Sequence, residues 1–293
     1  MTTQTLPLFA ASWKMMLRSR GVIFAIVTSS LYIAFFGLIE DLDFGIGTES
    51  IDFFDFVLPG FAVFLMVYQI QDITVAIASS FKARGILKRL ATTPLRPLRF
   101  IAVQSATYVL LGVVASLLVL AIGKLVGGTI TMTANLLWLI PVIAVVAITS
   151  IALGYAIAGL TPNPQTASNV ASTVTFLMFG FSGVLFPIAA LPGALPDIVL
   201  YAVPHTALIE IIRGIVLDGD SVTAYGQQLL IGAGWLIVAF AGAALLYRFT
   251  ERRVVRLRDS GGSTPIGGAR PGRHVSAAQG CAECDGMQRS LSH

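Results

Sequence analysis

The residues with the clearest chemical potential in this 293-residue sequence are basic and clustered. In Lys82-Ala83-Arg84-Gly85-Ile86-Leu87-Lys88-Arg89-Leu90-Ala91-Thr92-Thr93-Pro94, cations alternate with apolar residues at 86, 87 and 90. From Arg84 on, that spacing describes a short amphipathic helix, stopped where Pro94 disfavours helical backbone at the residue before it. Such a segment performs no covalent chemistry. It can dock on a partner, or it can mark one side of a membrane. A marker needs charge but neither the glycine nor the apolar face, so docking is the favoured reading.

Other reactive groups are scarce. Asp72, flanked by Gln69 and Gln71, is the best candidate for an ionisable group inside an apolar run, the kind of residue an ion-coupled carrier needs near the midplane. An aspartate at a helix centre costs about 2.5–3.5 kcal/mol on insertion scales. Asp72 lies close to the basic segment, so pairing with Arg84 or a helix-end hydrogen bond is expected before a proton relay. His205 and Glu210 fall in a proline-broken stretch that water is expected to reach. Cys281 and Cys284 with His274 and His293 form one CxxC with irregularly spaced histidines, too little for a metal site. The chain has no G-x-x-x-x-G-K-[ST] loop, no H-E-x-x-H and no G-x-S-x-G. No catalytic residue, metal ligand or cofactor of its own is assigned, and an enzyme is not expected.

The elements that position these groups are read from hydropathy. Of all residues 56% are hydrophobic and 12% charged, with mean hydropathy +0.83. A soluble domain carries about 25% charged residues. Apolar runs of membrane-spanning length recur, so the reading is an all-α integral membrane protein with six transmembrane helices. The spans run over residues 21–39, 56–78, 100–120, 136–160, 167–186 and 228–249. An amphipathic helix in residues 1–20, carrying Trp13, Lys14 and Arg18, is expected to lie in the interface before the first span. An acidic loop with Glu40, Asp41, Asp43, Glu49, Asp52 and Asp55 follows that span. Residues 187–219 are apolar but interrupted by Pro187, Pro192, Pro196 and Pro204, which a straight span does not tolerate. Two short helices dipping into the outer leaflet fit better. Residues 21–258 form the transmembrane domain, and the Gly- and Ser-rich stretch 259–293 reads as a disordered cytoplasmic tail.

The sequence pI is about 9.3 and the formal charge +4. The basic residues sit beside the spans, as cytoplasmic loops of membrane proteins do, so nucleic acid is not the implied partner. Placing both termini inside puts Lys14, Arg18, Arg20, the cations from Lys82 to Arg99 and the arginines from Arg248 onward on the cytoplasmic side. Only Lys124 and Arg213 then lie outside. The chain is expected to be a multi-pass protein of the plasma (inner) membrane, with no cleavable leader.

Read together, these motifs resemble the permeases of ABC-2 type transporters, particularly antibiotic and multidrug exporters. The run from Arg84 to Leu95 is similar to the segment those permeases carry after their second helix. There, an acidic residue and a glycine usually precede a Leu-Arg-Leu-like run that closes on Thr-Pro. Lys82-Ala83-Arg84 stands where many members mix acidic and basic residues. The amphipathic entry resembles their elbow helix, Asn163-Pro164-Gln165 their turn after the fourth span, and Leu191-Pro192 through Pro204-His205-Thr206 to Arg213-Gly214 their broken outer helices. The likeness covers residues 8–258.

It implies the transmembrane subunit of an ATP-binding cassette exporter. Such a subunit moves a lipophilic or amphiphilic, drug-like compound outward and pairs with a second permease, as a homodimer. Two copies of a separate cytoplasmic ATPase would bind ATP and Mg. Arg84, Gly85, Leu87, Lys88, Arg89, Leu90 and Pro94 would then dock on the ATPase together with the elbow helix around Trp13, Lys14 and Arg18. Gln69, Asp72, Phe176 and Phe179 are pathway candidates. Two other readings stay open: an export permease for polysaccharide or lipid-linked glycan, with aromatics lining its pathway, and a non-transporting assembly or regulatory subunit. An ion-coupled carrier would require Asp72 to be essential.

Overall fold

The computed structural model describes residues 13–14, 27–28, 30–32, 35, 43–44, 51–85, 97–185, 187–188 and 191–260. Two compact units divide the chain, residues 1–253 and 254–293; of the second, only its opening residues are described, as the end of a helix. The expected tail beyond Ser260, most of the expected elbow helix and most of the first span lie outside the described residues; Asp259 and Ser260, expected as the start of the tail, are helical. Trp13 and Lys14, and Val27, Thr28, Ser30, Leu31, Tyr32 and Phe35 within the first span, are helical.

The described residues are helical but for one small pair. Strands β1 (Asp43–Phe44) and β2 (Ile51–Asp52) pair antiparallel, Asp43 opposite Asp52 and Phe44 opposite Ile51. The all-helical expectation missed this pair, because two residues a side carry no alternation to read.

Helix α1 (Phe53–Ala83) follows directly. Pro59 sits inside it, in the second turn, where it removes the backbone bond to the Asp55 carbonyl. Helix α2 (Pro97–Val126) starts on a proline, whose fixed φ suits the first helical position. A 3₁₀ turn (Ala134–Trp138) leads into α3 (Leu139–Leu160). Helix α4 (Pro164–Phe181) is capped by Asn163, which accepts the Thr166 N–H at 2.8 Å. Two eight-residue helices follow, α5 (Leu195–Ala202) and α6 (Thr206–Arg213), the latter running on through a π turn to Asp218 and closed by Gly219 at φ 71°. Helix α7 (Gly226–Ser260) ends the described chain.

Among the described residues, four helical stretches are long and apolar enough to cross a membrane: Phe53–Ala83, Ile101–Val126, Ala134–Leu160 and Val222–Tyr247. The expected fifth span is present as α4, but it is 18 residues long and too rich in Thr, Ser and Asn to pass on apolarity. The expected six thus appear as four such helices plus α4, with the first lying mostly outside the described residues.

Helix α1 is the centre of the packing. Its most apolar stretch is 76% buried within the protein, against 11% for that of α7. Helices α2, α3, α4 and α6 all contact it. Phe61, Val63, Phe64 and Val67 of α1 share one core with Val119 and Ile143 and with Ile209, Ile212 and Ile215 of the α6 segment.

Contacts at the helix ends fix directions. The Thr129 N–H, just past α2, donates to Asp55 at the start of α1 at 2.7 Å, so α1 and α2 are antiparallel. Lys82 meets the end of α3, and Tyr247 donates to the Ala78 carbonyl at 3.2 Å, so α3 and α7 run parallel to α1. Gln71 meets Thr175, and Phe64 meets Phe179, so α4 runs back.

Helix α4 therefore ends, and α7 begins, at the Asp55 end. The pair α5–α6, bent by 100°, cannot be a span, because crossing would bring α7 in from the wrong end. It is a re-entrant hairpin, as the prolines suggested. Its corner, His205, reaches Ser150 of α3, about 16 Å along that helix. His205 is 2% exposed, so the expectation that water reaches it is corrected. The corner packs against α3 instead of opening outward. Glu210, one turn further out, is half-buried.

Candidate functional site

Lys82, in the last turn of α1, spends all three N–H groups of its ammonium on the end of α3. It donates to the carbonyls of Ala158 at 3.3 Å, Gly159 at 3.2 Å and Thr161 at 2.6 Å. The chain leaves these acceptors open for a local reason. The α-helical donor to Ala158 would be the N–H of residue 162, which is a proline and has none. Ile157 is already satisfied by the Thr161 N–H at 3.2 Å and the Thr161 hydroxyl at 2.9 Å. A cation at a helix C-terminus also meets the negative end of the helix dipole.

Arg84 and Gly85 follow as an exposed turn. Gly85 has φ 61°, the left-handed conformation that ends a helix, and its N–H reaches back to the Lys82 carbonyl at 3.3 Å. A Cβ there would meet nothing within 4 Å, so the position demands glycine for its backbone alone. Gly85→Ala should cost about 1 kcal/mol and Gly85→Asn distinctly less, because asparagine tolerates the left-handed region. Thermal unfolding of the detergent-solubilised variants checks this; equal midpoints for all three chains would refute it. Leu87, Lys88, Arg89, Leu90 and Pro94 of the expected docking segment lie outside the described residues, as does Arg18. Trp13 is half-buried and Lys14 exposed.

A seam beside this turn ties in α7. Tyr247 stacks edge-on with Tyr155 of α3, ring centroids 5.5 Å apart. At Gly159 a Cβ would stand 2.7 Å from the backbone of both Leu246 and Tyr247. Small residues allow such close helix contacts in membranes. The ends of α1 and α3 are therefore joined to α7 at Leu246 and Tyr247, beside the Arg84–Gly85 turn.

The expected pathway residues separate. Gln69 and Asp72 are half-buried and share one face of α1. Asp72 and Arg84 belong to the same rod, about 18 Å apart along it, so the expected pairing between them does not form. Gln71 points the other way and is 2% exposed, its amide donating to the Thr175 hydroxyl of α4 at 3.0 Å. Phe179 packs against Phe61 and Phe64, centroids 5.9 and 5.0 Å away, and so serves the core. Phe176 is 76% exposed. It shares the outward face of α4 with Gln165, Asn169 and Thr173. The Gln165 amide donates to Asn169 at 3.2 Å, and the Thr173 hydroxyl to the Asn169 carbonyl at 2.9 Å. Helix α4 thus presents a mixed amide, hydroxyl and aromatic stripe.

At the Asp55 end, Arg213 clamps three segments. Its Nε donates to the Phe56 carbonyl at 3.2 Å, its Nη2 donates to the Gly183 carbonyl at 2.8 Å, and its guanidinium lies 3.7 Å from the Phe56 ring centroid. Thr131 and Asn135 hold the end of the hairpin, through the Thr131 hydroxyl to the Leu217 carbonyl and the Asn135 amide to the Gly219 carbonyl at 2.7 Å. Lys82, Gln71 and Arg213 escaped notice as structural ties. Only Lys82 carried a usable signal: a proline placed where the α3 terminus needs a donor.

No group of three or more potential metal-ligating side chains occurs among the described residues. A family model described as ABC-2 type transporter matches residues 3–217, most of the chain. No curated protein matches the sequence.

Proposed function

Because this chain belongs to the ABC-2 type transporter family, we propose that it is the permease subunit of an exporter for a lipophilic or amphiphilic compound, driven by a separate cytoplasmic ATPase. Membership of the family makes it a multi-pass membrane transport subunit that works with an ATP-binding cassette ATPase. Direction, cargo and stoichiometry are our reading. The observation that carries it is the Arg84–Gly85 turn, cationic and with Arg84 exposed, beside the joined ends of α1 and α3 and the Tyr247 contact of α7. The positive charge beside that end supports placing it in the cytoplasm, where the ATPase would bind.

Two such chains would face one another, with two ATPases beneath. ATP-driven closure of the ATPases would push on the turn and tilt the helices. The stripe of Gln165, Asn169, Thr173 and Phe176 on α4 supports an amphiphilic cargo, since it offers hydrogen bonds beside an apolar ring. Gln69 and Asp72 remain candidates for the same pathway.

The test is purification from native membranes. A P-loop ATPase should copurify near stoichiometrically and be lost, with its ATP turnover, when Arg84, Lys88 and Arg89 are all changed to glutamate. Retention of the ATPase by that triple variant would exclude the docking role; recovery of the chain alone in every condition would favour a non-transporting subunit.

A further inference from the structure

We infer that Lys82 is the link that transmits movement of the Arg84–Gly85 turn to the pathway helix α4, a role that deepens the permease reading and rests on it. Lys82 stands two residues before the exposed turn and is too engaged to face a partner, because its three donors are already spent. What they hold is the start of a stiff connection. Thr161 leaves α3 in extended conformation, at φ −92° and ψ 143°. Pro162 and Pro164 fix their own φ angles on either side of Asn163. Asn163, at φ −140° and ψ 160°, caps α4 through the Thr166 N–H. Each residue from the Lys82 ammonium to the first turn of α4 is therefore restrained by a bond or a ring. A displacement of the α1 end pulls the Thr161 carbonyl, and α4 moves with it.

The rest of the α1–α4 contact does not provide such a link. It consists of Val75 packed with Ala167 and Ala171, the Gln71–Thr175 hydrogen bond and the stacking of Phe61 and Phe64 on Phe179, contacts made side by side along the two helices. Those contacts pass motion between the helix bodies. Lys82 adds a hydrogen-bonded tie from the last turn of α1 to the residues that lead into α4, and it does so through the end of α3.

The experiment uses the complex with its ATPase in lipid nanodiscs, Cys281 and Cys284 replaced by serine, and a spin label at either Ala83→Cys or Thr166→Cys, both exposed positions. In the otherwise unmodified chain both labels should change mobility on ATP binding. With Lys82→Met the Ala83 label should still respond, while the response at Thr166 falls about fivefold or more. Lys82→Arg should restore it.

A purely structural role is separated by the thermal midpoint of each variant, so that the labels are compared at a temperature where Lys82→Met is folded. A folded Lys82→Met chain should respond at Ala83 and not at Thr166. A full Thr166 response in Lys82→Met would overturn the inference. The permease reading fails differently: neither label in the unmodified chain would then respond to ATP, and the inference would fall with it.

Discussion

Changing Arg213 to methionine is expected to destabilise the chain by about 3 kcal/mol, one of the two largest effects of any single substitution considered. The guanidinium bridges the Phe56 and Gly183 carbonyls and covers the Phe56 ring. Both residues that lend their carbonyls are buried, so neither oxygen recovers water when the side chain is removed. Methionine keeps the volume of the stem and none of the donors. Lysine should recover only part of the loss, since one ammonium cannot reproduce a planar fork that also stacks on a ring. The check is the thermal midpoint of the solubilised chain, followed by loss of its monodisperse elution peak. Equal midpoints for Arg213, Arg213→Lys and Arg213→Met would show that the clamp adds nothing.

The second large effect is expected at Gly159. Valine there places Cβ 2.7 Å from backbone atoms of Leu246 and Tyr247, and backbone cannot rotate aside as a long side chain can. Helix α7 must shift, at a cost of about 1–3 kcal/mol by analogy with overpacked cores. Its most apolar stretch is only 11% buried within the protein, so displacement is the easier response. The seam itself supplies the assay. A Cβ on Gly242 would lie 3.7 Å from that of Ala156, within the range that a disulfide spans. Cysteines at those two positions, with Cys281 and Cys284 removed, should crosslink under mild oxidation. The yield should drop about tenfold when Gly159→Val is added, one decade being the effect of 1.4 kcal/mol. An unchanged yield would mean that α7 does not rest on α3 at this point. Displacing α7 also disturbs the Tyr247–Ala78 bond beside the Arg84–Gly85 turn, so under the docking role proposed for that turn ATPase coupling should weaken together with the crosslink.

Embedding in a bilayer was legible from composition, because only lipid suits repeated apolar runs with so few charges. The breaks at Pro192, Pro196 and Pro204 foretold the hairpin, since proline removes donors wherever it falls. The Asn163-Pro164 turn was equally readable, being a cap followed by the residue that best begins a helix. The cations from Lys82 on placed the end of α1, which stops at Ala83, for charge has to leave the hydrocarbon.

Which way the helices face was not legible. In a soluble protein the core-facing side of a helix is the apolar one, but here lipid-facing and core-facing positions are both apolar, so periodicity carries no direction. That is why Phe176 and Phe179, three residues apart, read alike and yet one turns outward while the other packs on Phe61 and Phe64. Tertiary structure alone decided that His205 is enclosed beside Ser150, that the bent pair returns without crossing, and that Lys82 binds carbonyls far along the chain. These are long-range matches between groups that cannot find water in lipid. A sequence displays such groups one by one, and only the assembled fold brings each donor to its acceptor.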